Sequence, residues 1–163
     1  MNTARWAGVF YLGTFVSGMI ALAAGAGMQL ANAIATICYV AVTVLFYWLF
    51  KPVDARWSFA AALVSALGCA MNVLSLAHVA LLPINALAVF GVYCLLIGWL
   101  IIESPSMPSV LGVAMMIGGA SWLTFAVPSL ARALAPFNYA PGILAEGALT
   151  IWLLVTGARS GAR

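Results

Sequence analysis

Six apolar runs, each close to the roughly 20 residues a helix needs to cross a hydrocarbon layer, follow one another through nearly all of this 163-residue chain. No other feature narrows the choice of fold so far. Side chains this apolar need a solvent that accepts them on the outside, and lipid is that solvent. The charge count agrees: 6% of residues are charged, against roughly 25% in an ordinary soluble domain. That is too few to cover a water-facing surface. A single transmembrane domain over residues 1–163 is expected.

Peptide groups in lipid have no water to bond, so each run must satisfy its backbone internally as a helix. The expected spans are 6–24, 31–50, 57–79, 83–102, 109–130 and 141–157, an all-α, polytopic membrane helical bundle of six transmembrane helices. Turn chemistry fills the breaks: Lys51-Pro52-Val53-Asp54, Leu82-Pro83, Ser104-Pro105-Ser106-Met107-Pro108 and Ala135-Pro136-Phe137-Asn138. Proline at or just before a helix start costs little, so the fourth and fifth helices should meet at a short, stiff corner.

Arg5, Lys51, Arg56, Arg159 and Arg163 fall at one face of this arrangement and Arg132 alone at the other. By the positive-inside rule both termini are expected in the cytoplasm. Trp6, Trp48, Trp57, Trp99 and Trp152 gather toward the same boundary, where an amphipathic indole is favoured, and only Trp122 departs from that belt. Arg5 followed by an apolar stretch and the small residues around Gly25 also resembles a secretion signal. The stretch from Trp6 exceeds the roughly 7 to 15 residues of a signal core, so the first span is expected to be retained.

Gly13, Ser17, Ala21 and Gly25 recur every four residues, putting small side chains on one face of the first helix, where another backbone can approach closely. Ala62, Ala66 and Ala70 do so on the third, and Gly112, Gly118 and Gly119 thin part of the fifth. Gly91 and Gly98 share a seven-residue spacing with Gly112 and Gly119. In a chain so rich in Gly, Val, Leu and Ala this match alone is no sign of an internal repeat.

Cys38, Cys69 and Cys94 lie inside expected spans without CxxC spacing and read as small apolar fillers. With a single histidine, His78, beside them, no metal site and no cofactor is expected. The scattered basic residues argue against nucleic acid as a partner. The lipid bilayer is the expected partner, with a homo-oligomer or another membrane protein as further candidates.

Polar groups at depth are costly, roughly 2.5–3.5 kcal/mol for an ionised side chain at a helix centre, so each is a functional candidate. Glu146 leads them. Lying a little over one turn into the sixth span, it must face a wet cavity, pair, or hold its proton; an interfacial carboxylate paired with Arg132 is the plainer alternative. Asn72 and Ser75 share a face of the third helix and His78 ends it; with Asn85, Gln29 and Asn32 they fall in the same outer half as Glu146 and Arg132. The candidate pocket is therefore Glu146, His78, Asn72, Ser75, Arg132 and Asn85. Glu103, at the opposite face, invites a surface pair with Lys51 or Arg56.

Four stretches in order are similar to a bacterial membrane family known as domain of unknown function 4386: 5–12 (Arg5 to Leu12), 49–54 (Leu49 to Asp54), 90–98 (Phe90 to Gly98) continuing through Ser104, Pro108 and Leu111-Gly112, and Glu146 with 152–157 (Trp152 to Gly157). The chain departs from that pattern in a shorter outer connection between its first two helices. The resemblance implies a multi-helix protein of the bacterial cytoplasmic (inner) membrane and carries no activity.

Four functions compete. A binding or sensing module would use an outward-facing polar pocket around Glu146. A small solute or proton-coupled carrier would cycle a proton on Glu146, although neither repeated halves nor interrupted helices are evident. A structural subunit of a membrane complex would work through its small-residue grooves. An intramembrane enzyme ranks last, since Ser75 and His78 come without any GxSxG, HExxH or paired-carboxylate pattern. A non-enzymatic role is the expectation.

Overall fold

The computed structural model describes residues 3–23, 28–77, 79 and 84–157. His78, Gly25, Leu82, Pro83, Arg159 and Arg163, named above, lie outside the described residues. Among the described residues seven α-helices run α1 Thr3–Ala23, α2 Met28–Phe50, α3 Ala55–Leu76, α4 Ala86–Glu103, α5 Ser109–Leu123, α6 Pro128–Leu134 and α7 Ala140–Thr156, with single 3₁₀ turns at Thr124–Ala126 and Phe137–Tyr139. Among the described residues there is no strand.

The helix ends follow from local chemistry. Pro52 stops α2, and Asp54 then opens α3 by accepting from the backbone N–H groups of Arg56 and Trp57 at 2.8 and 3.0 Å. Asn85 caps α4 in the same way, its Oδ1 taking the Leu87 N–H at 2.9 Å. The fifth span is shorter than expected: α5 stops at Leu123 rather than near 130. Pro128 is the cause. A residue before proline is driven out of the α region, and Val127 is extended at φ −117°, ψ 102°, after which Pro128 takes the first position of the separate helix α6. Unbroken hydrophobicity through this segment had hidden the break.

The six long helices close a ring in chain order. α1 packs on α2, α2 on α3, α3 on α4, α4 on α5, α5 on α7, and α7 returns to α1. Inside lie Tyr11, Phe46, Tyr93, Ile97, Leu100, Met115, Leu149 and Leu153. Outside, Leu30 and Ile37 are 70% exposed and Leu144 is 71% exposed. A water-soluble monomer does not present apolar surface of this extent, whereas a membrane protein must. Met28–Phe50, Ala55–Leu76, Ala86–Glu103, Ser109–Ala126 and Phe137–Thr156 are each long and apolar enough to cross a membrane, and α1 adds a sixth long helix of 21 residues. The protein is an all-helical membrane protein.

In lipid, helices associate by close packing and interhelical hydrogen bonds, and this ring uses both. The α4/α5 seam is glycine on glycine. A Cβ at Gly91 would sit 2.8 Å from the Gly119 carbonyl oxygen, and one at Gly98 would sit 2.7 Å from that of Gly112. The shared seven-residue spacing is thus the register of two antiparallel helices meeting every second turn. Gly13 meets Cys38 of α2, and Gly118 meets Gly142 and Ala145 of α7. Ala21 is buried. On α3 the packed small residues are Ala61, Ser65 and Gly68, whereas Ala66 and Ala70 are exposed on the outer surface.

The α2/α3 seam is polar instead. Thr43 and Ser65 share a 2.6 Å hydrogen bond, Ser58 donates to the Tyr47 carbonyl at 3.0 Å, and Asn72 donates through Nδ2 to Thr36 Oγ1 at 2.6 Å.

Candidate functional site

All six long helices contribute to a cavity of about 320 Å³ at the end of the ring where α4 begins. Thr14, Phe15 and Gly18 come from α1, Asn32, Thr36 and Tyr39 from α2, Asn72 from α3, Leu87 and Phe90 from α4, Trp122 from α5, and Ile143 and Glu146 from α7. Asn85 and Tyr139 complete the wall.

Glu146 is the one formally charged residue of that wall among the described residues. Its Oε1 accepts the indole N–H of Trp122 at 2.9 Å, and the Cys94 thiol approaches the same oxygen at 3.9 Å. An indole can only donate and a carboxylate can only accept, so the pairing is forced by their chemistry. The phenol of Tyr11 stands beside the carboxyl without reaching hydrogen-bond geometry. Glu146 is half-buried, because it opens onto the cavity.

Below the carboxyl three phenols meet. Tyr11 and Tyr39 are edge to face at 5.9 Å, and Tyr39 and Tyr93 at 5.7 Å. All three hydroxyls are buried without a hydrogen-bond partner among the described residues. Buried polar groups of this kind are uncommon and call for a reason.

Several other polar groups of the wall and of the connection beside it bond to the protein itself, while Asn138 Oδ1 is buried without a partner among the described residues. Thr36 donates to the Asn32 carbonyl at 2.8 Å while accepting from Asn72, and Thr14 donates to the Phe10 carbonyl at 3.1 Å. Asn138, buried under the α5 to α7 connection, donates to Thr124 and to the Ala131 carbonyl, both at 3.3 Å, while Ser121 donates to its backbone carbonyl. Tyr139 then packs on Trp122 at 5.9 Å and on Phe125 at 5.0 Å. The broken end of α5 therefore folds back to hold the indole in place.

Of the residues expected in a pocket, Glu146, Asn72 and Asn85 line the cavity. Ser75 does not: it is exposed on α3 and its hydroxyl donates to the Asn72 carbonyl at 2.7 Å. Arg132 is exposed on α6, and no ion pair joins it to Glu146 among the described residues. Pairing with Arg132 was the plainer alternative for Glu146; Arg132 instead stands on the separate helix α6 that Pro128 opens. At the opposite end Lys51 lies over the Trp48 ring at 4.8 Å, and among the described residues it makes no pair with Glu103. The three cysteines are free thiols, and among the described residues no group of three or more His, Cys, Asp or Glu gathers as a metal site would need.

Sequence reasoning passed over Trp122, Cys94 and the three tyrosines. A signal existed for some of them: Trp122 sits away from the aromatic belt, and Tyr11, Tyr39 and Tyr93 carry hydroxyls in the middle of helices, where a phenol has no headgroup to bond.

Fold and composition define a polytopic helical membrane protein. Residues 84–157, the stretch carrying α4 through α7, match the family described as Domain of unknown function (DUF4386), which supports the resemblance read from the sequence. No curated protein and no solved structure shows a significant match to the chain.

Proposed function

We propose that this protein binds a small solute within the membrane, in the cavity built on Glu146. One observation carries the reading: a carboxyl group on α7 faces a cavity of about 320 Å³ enclosed by six helices, with no cation against it among the described residues. Cavities of roughly 300–1,000 Å³ between the helices of a bundle are the usual form of a small-molecule site. A carboxyl kept there at a cost of several kcal/mol needs a return in function. The distribution of Lys and Arg supports an orientation in the bacterial cytoplasmic membrane with both termini cytoplasmic and the cavity turned outward. A carrier built from two rocking halves is less well supported, because these helices follow one another round a single ring.

Gly18 supplies the test. It lines the cavity, and a Cβ there meets nothing within 4 Å. Gly18→Cys in a chain with Cys38, Cys69 and Cys94 replaced by alanine should react with a membrane-impermeant thiol reagent applied from the outer face and not from the inner. Absence of labelling from both faces would refute the pocket.

A further inference from the structure

The chemistry of the wall narrows the solute class, and this step rests on the binding reading just given. Four donors of the wall are spent on the protein itself: the Thr14 and Thr36 hydroxyls donate to helix carbonyls, an Asn72 amide hydrogen goes to Thr36, and the Trp122 N–H goes to Glu146. What remains is the acceptor capacity of the carboxyl and a large aromatic surface, beside the side-chain amides of Asn32 and Asn85 and the Tyr39 hydroxyl. A carboxylate offers about four lone-pair sites, of which the indole and the thiol occupy two.

Around it stand two aromatic pairs from different elements. Tyr39 and Phe90 lie with ring centroids 4.6 Å apart and planes tilted by 53°, and Trp122 and Tyr139 lie 5.9 Å apart, nearly perpendicular. Tyr39 also brings a buried, unpartnered hydroxyl. An anionic solute would meet the Glu146 carboxyl and the negative faces of the rings, with no lysine or arginine of the described wall to offset them. A cation would meet a counter-charge and ring quadrupoles that attract it within roughly 6 Å of a centroid, more strongly where water is excluded. No lysine or arginine of the described wall competes for the carboxyl.

We propose that the cavity takes a small organic ammonium ion, its charge held between the Glu146 carboxyl and the rings of Trp122, Tyr39 and Phe90. The volume of about 320 Å³ suits one compact molecule.

The experiment is equilibrium binding to the full chain in detergent or nanodiscs, comparing choline and tetramethylammonium with 3,3-dimethylbutan-1-ol, the neutral isostere of choline, and with acetate. The ammonium ions are expected to bind saturably and at least tenfold more tightly than the neutral isostere, and acetate not at all. Glu146→Gln should weaken choline at least tenfold and leave the isostere within about twofold. Should Glu146→Gln fail to fold, Gly18→Phe, which puts a ring into the cavity from α1 and leaves Glu146 in the chain, is expected to abolish choline binding. Equal binding of choline and its isostere, preference for acetate, or binding by none of the ammonium ions overturns the ammonium assignment. The Gly18→Cys labelling result separates the outcomes: a labelled cavity with no ammonium preference removes the solute class alone, and an unlabelled one removes the binding site itself.

Discussion

The indole of Trp122 lies directly over Gly142, so that a methyl group on that glycine would overlap the ring atoms Nε1, Cε2 and Cζ2. Gly142 stands one turn before Glu146 on α7, and its bare backbone is what lets the indole reach the carboxyl. Gly142→Ala should therefore push Trp122 off Glu146. The expected cost is about 1–3 kcal/mol from overpacking, reduced by up to about 1 kcal/mol from the better helix propensity of alanine. Reversible unfolding in mixed micelles measures it, and an unchanged midpoint would show that the indole is not seated there.

Trp122→Phe keeps a ring on α5 and removes the donor, together with part of a buried ring whose loss adds to that of the bond. Interhelical hydrogen bonds in membranes contribute about 0.6 kcal/mol on average and up to about 1.7. This bond stands at the upper end because its acceptor is a carboxyl, and a loss of about 1–2 kcal/mol is expected. Trp99→Phe, on an exposed face of α4, serves as the control and should change stability by less than about 0.5 kcal/mol.

The α4/α5 seam tolerates no side chain at its crossing points. Gly98→Val would drive a branched side chain into the Gly112 carbonyl and the Met116 side chain. Loss of more than about 3 kcal/mol, or failure to accumulate in the membrane, is the expected result. Gly18→Ala, where the added carbon meets nothing, should be neutral or stabilising by up to about 1 kcal/mol. If both variants behaved alike in an expression and unfolding assay, the glycine register would have no packing role.

Thr43 and Ser65 form the buried hydroxyl pair of the α2/α3 seam, and Thr43 also donates to the Tyr39 carbonyl at 2.8 Å. Thr43→Val should cost more than the pair itself contributes, because it leaves Ser65 buried and unpaired. Adding Ser65→Ala should then recover part of the loss. A double-mutant cycle with a coupling energy of about 0.5–1.5 kcal/mol is expected, and additive losses would show that the two hydroxyls do not communicate.

The spans were legible because hydrophobic runs and prolines are local signals, and α2, α3 and α4 begin and end within a few residues of where those signals stand. Pro128 was a local signal too, but it lay within a run whose hydrophobicity did not fall, and length outweighed it. Glu146 was legible because a carboxyl in an apolar span is conspicuous whatever surrounds it. Its partners were not, since Tyr11, Cys94 and Trp122 belong to three other helices and only the order of packing round the ring brings them together. Ser75 shares a helix face with Asn72, yet the face turns away within one turn, so that one side chain lines the cavity and the other meets the surroundings. The glycine spacing was visible as a pattern, and its meaning required knowing that α4 and α5 run antiparallel.

The return of α7 to α1 has a consequence for biogenesis. Five of the six contacts in the circle join consecutive long helices, so these pairs can form as the polypeptide emerges and enters the bilayer. The sixth contact waits for the last long helix, which is also the one bearing the carboxyl. Until that helix arrives, the hollow has no counter-charge and one open flank. Arrival of α7 and closure of the ring are thus a single event, and a ribosome stalled before α7 would leave a membrane-inserted intermediate whose hollow is still open on one side.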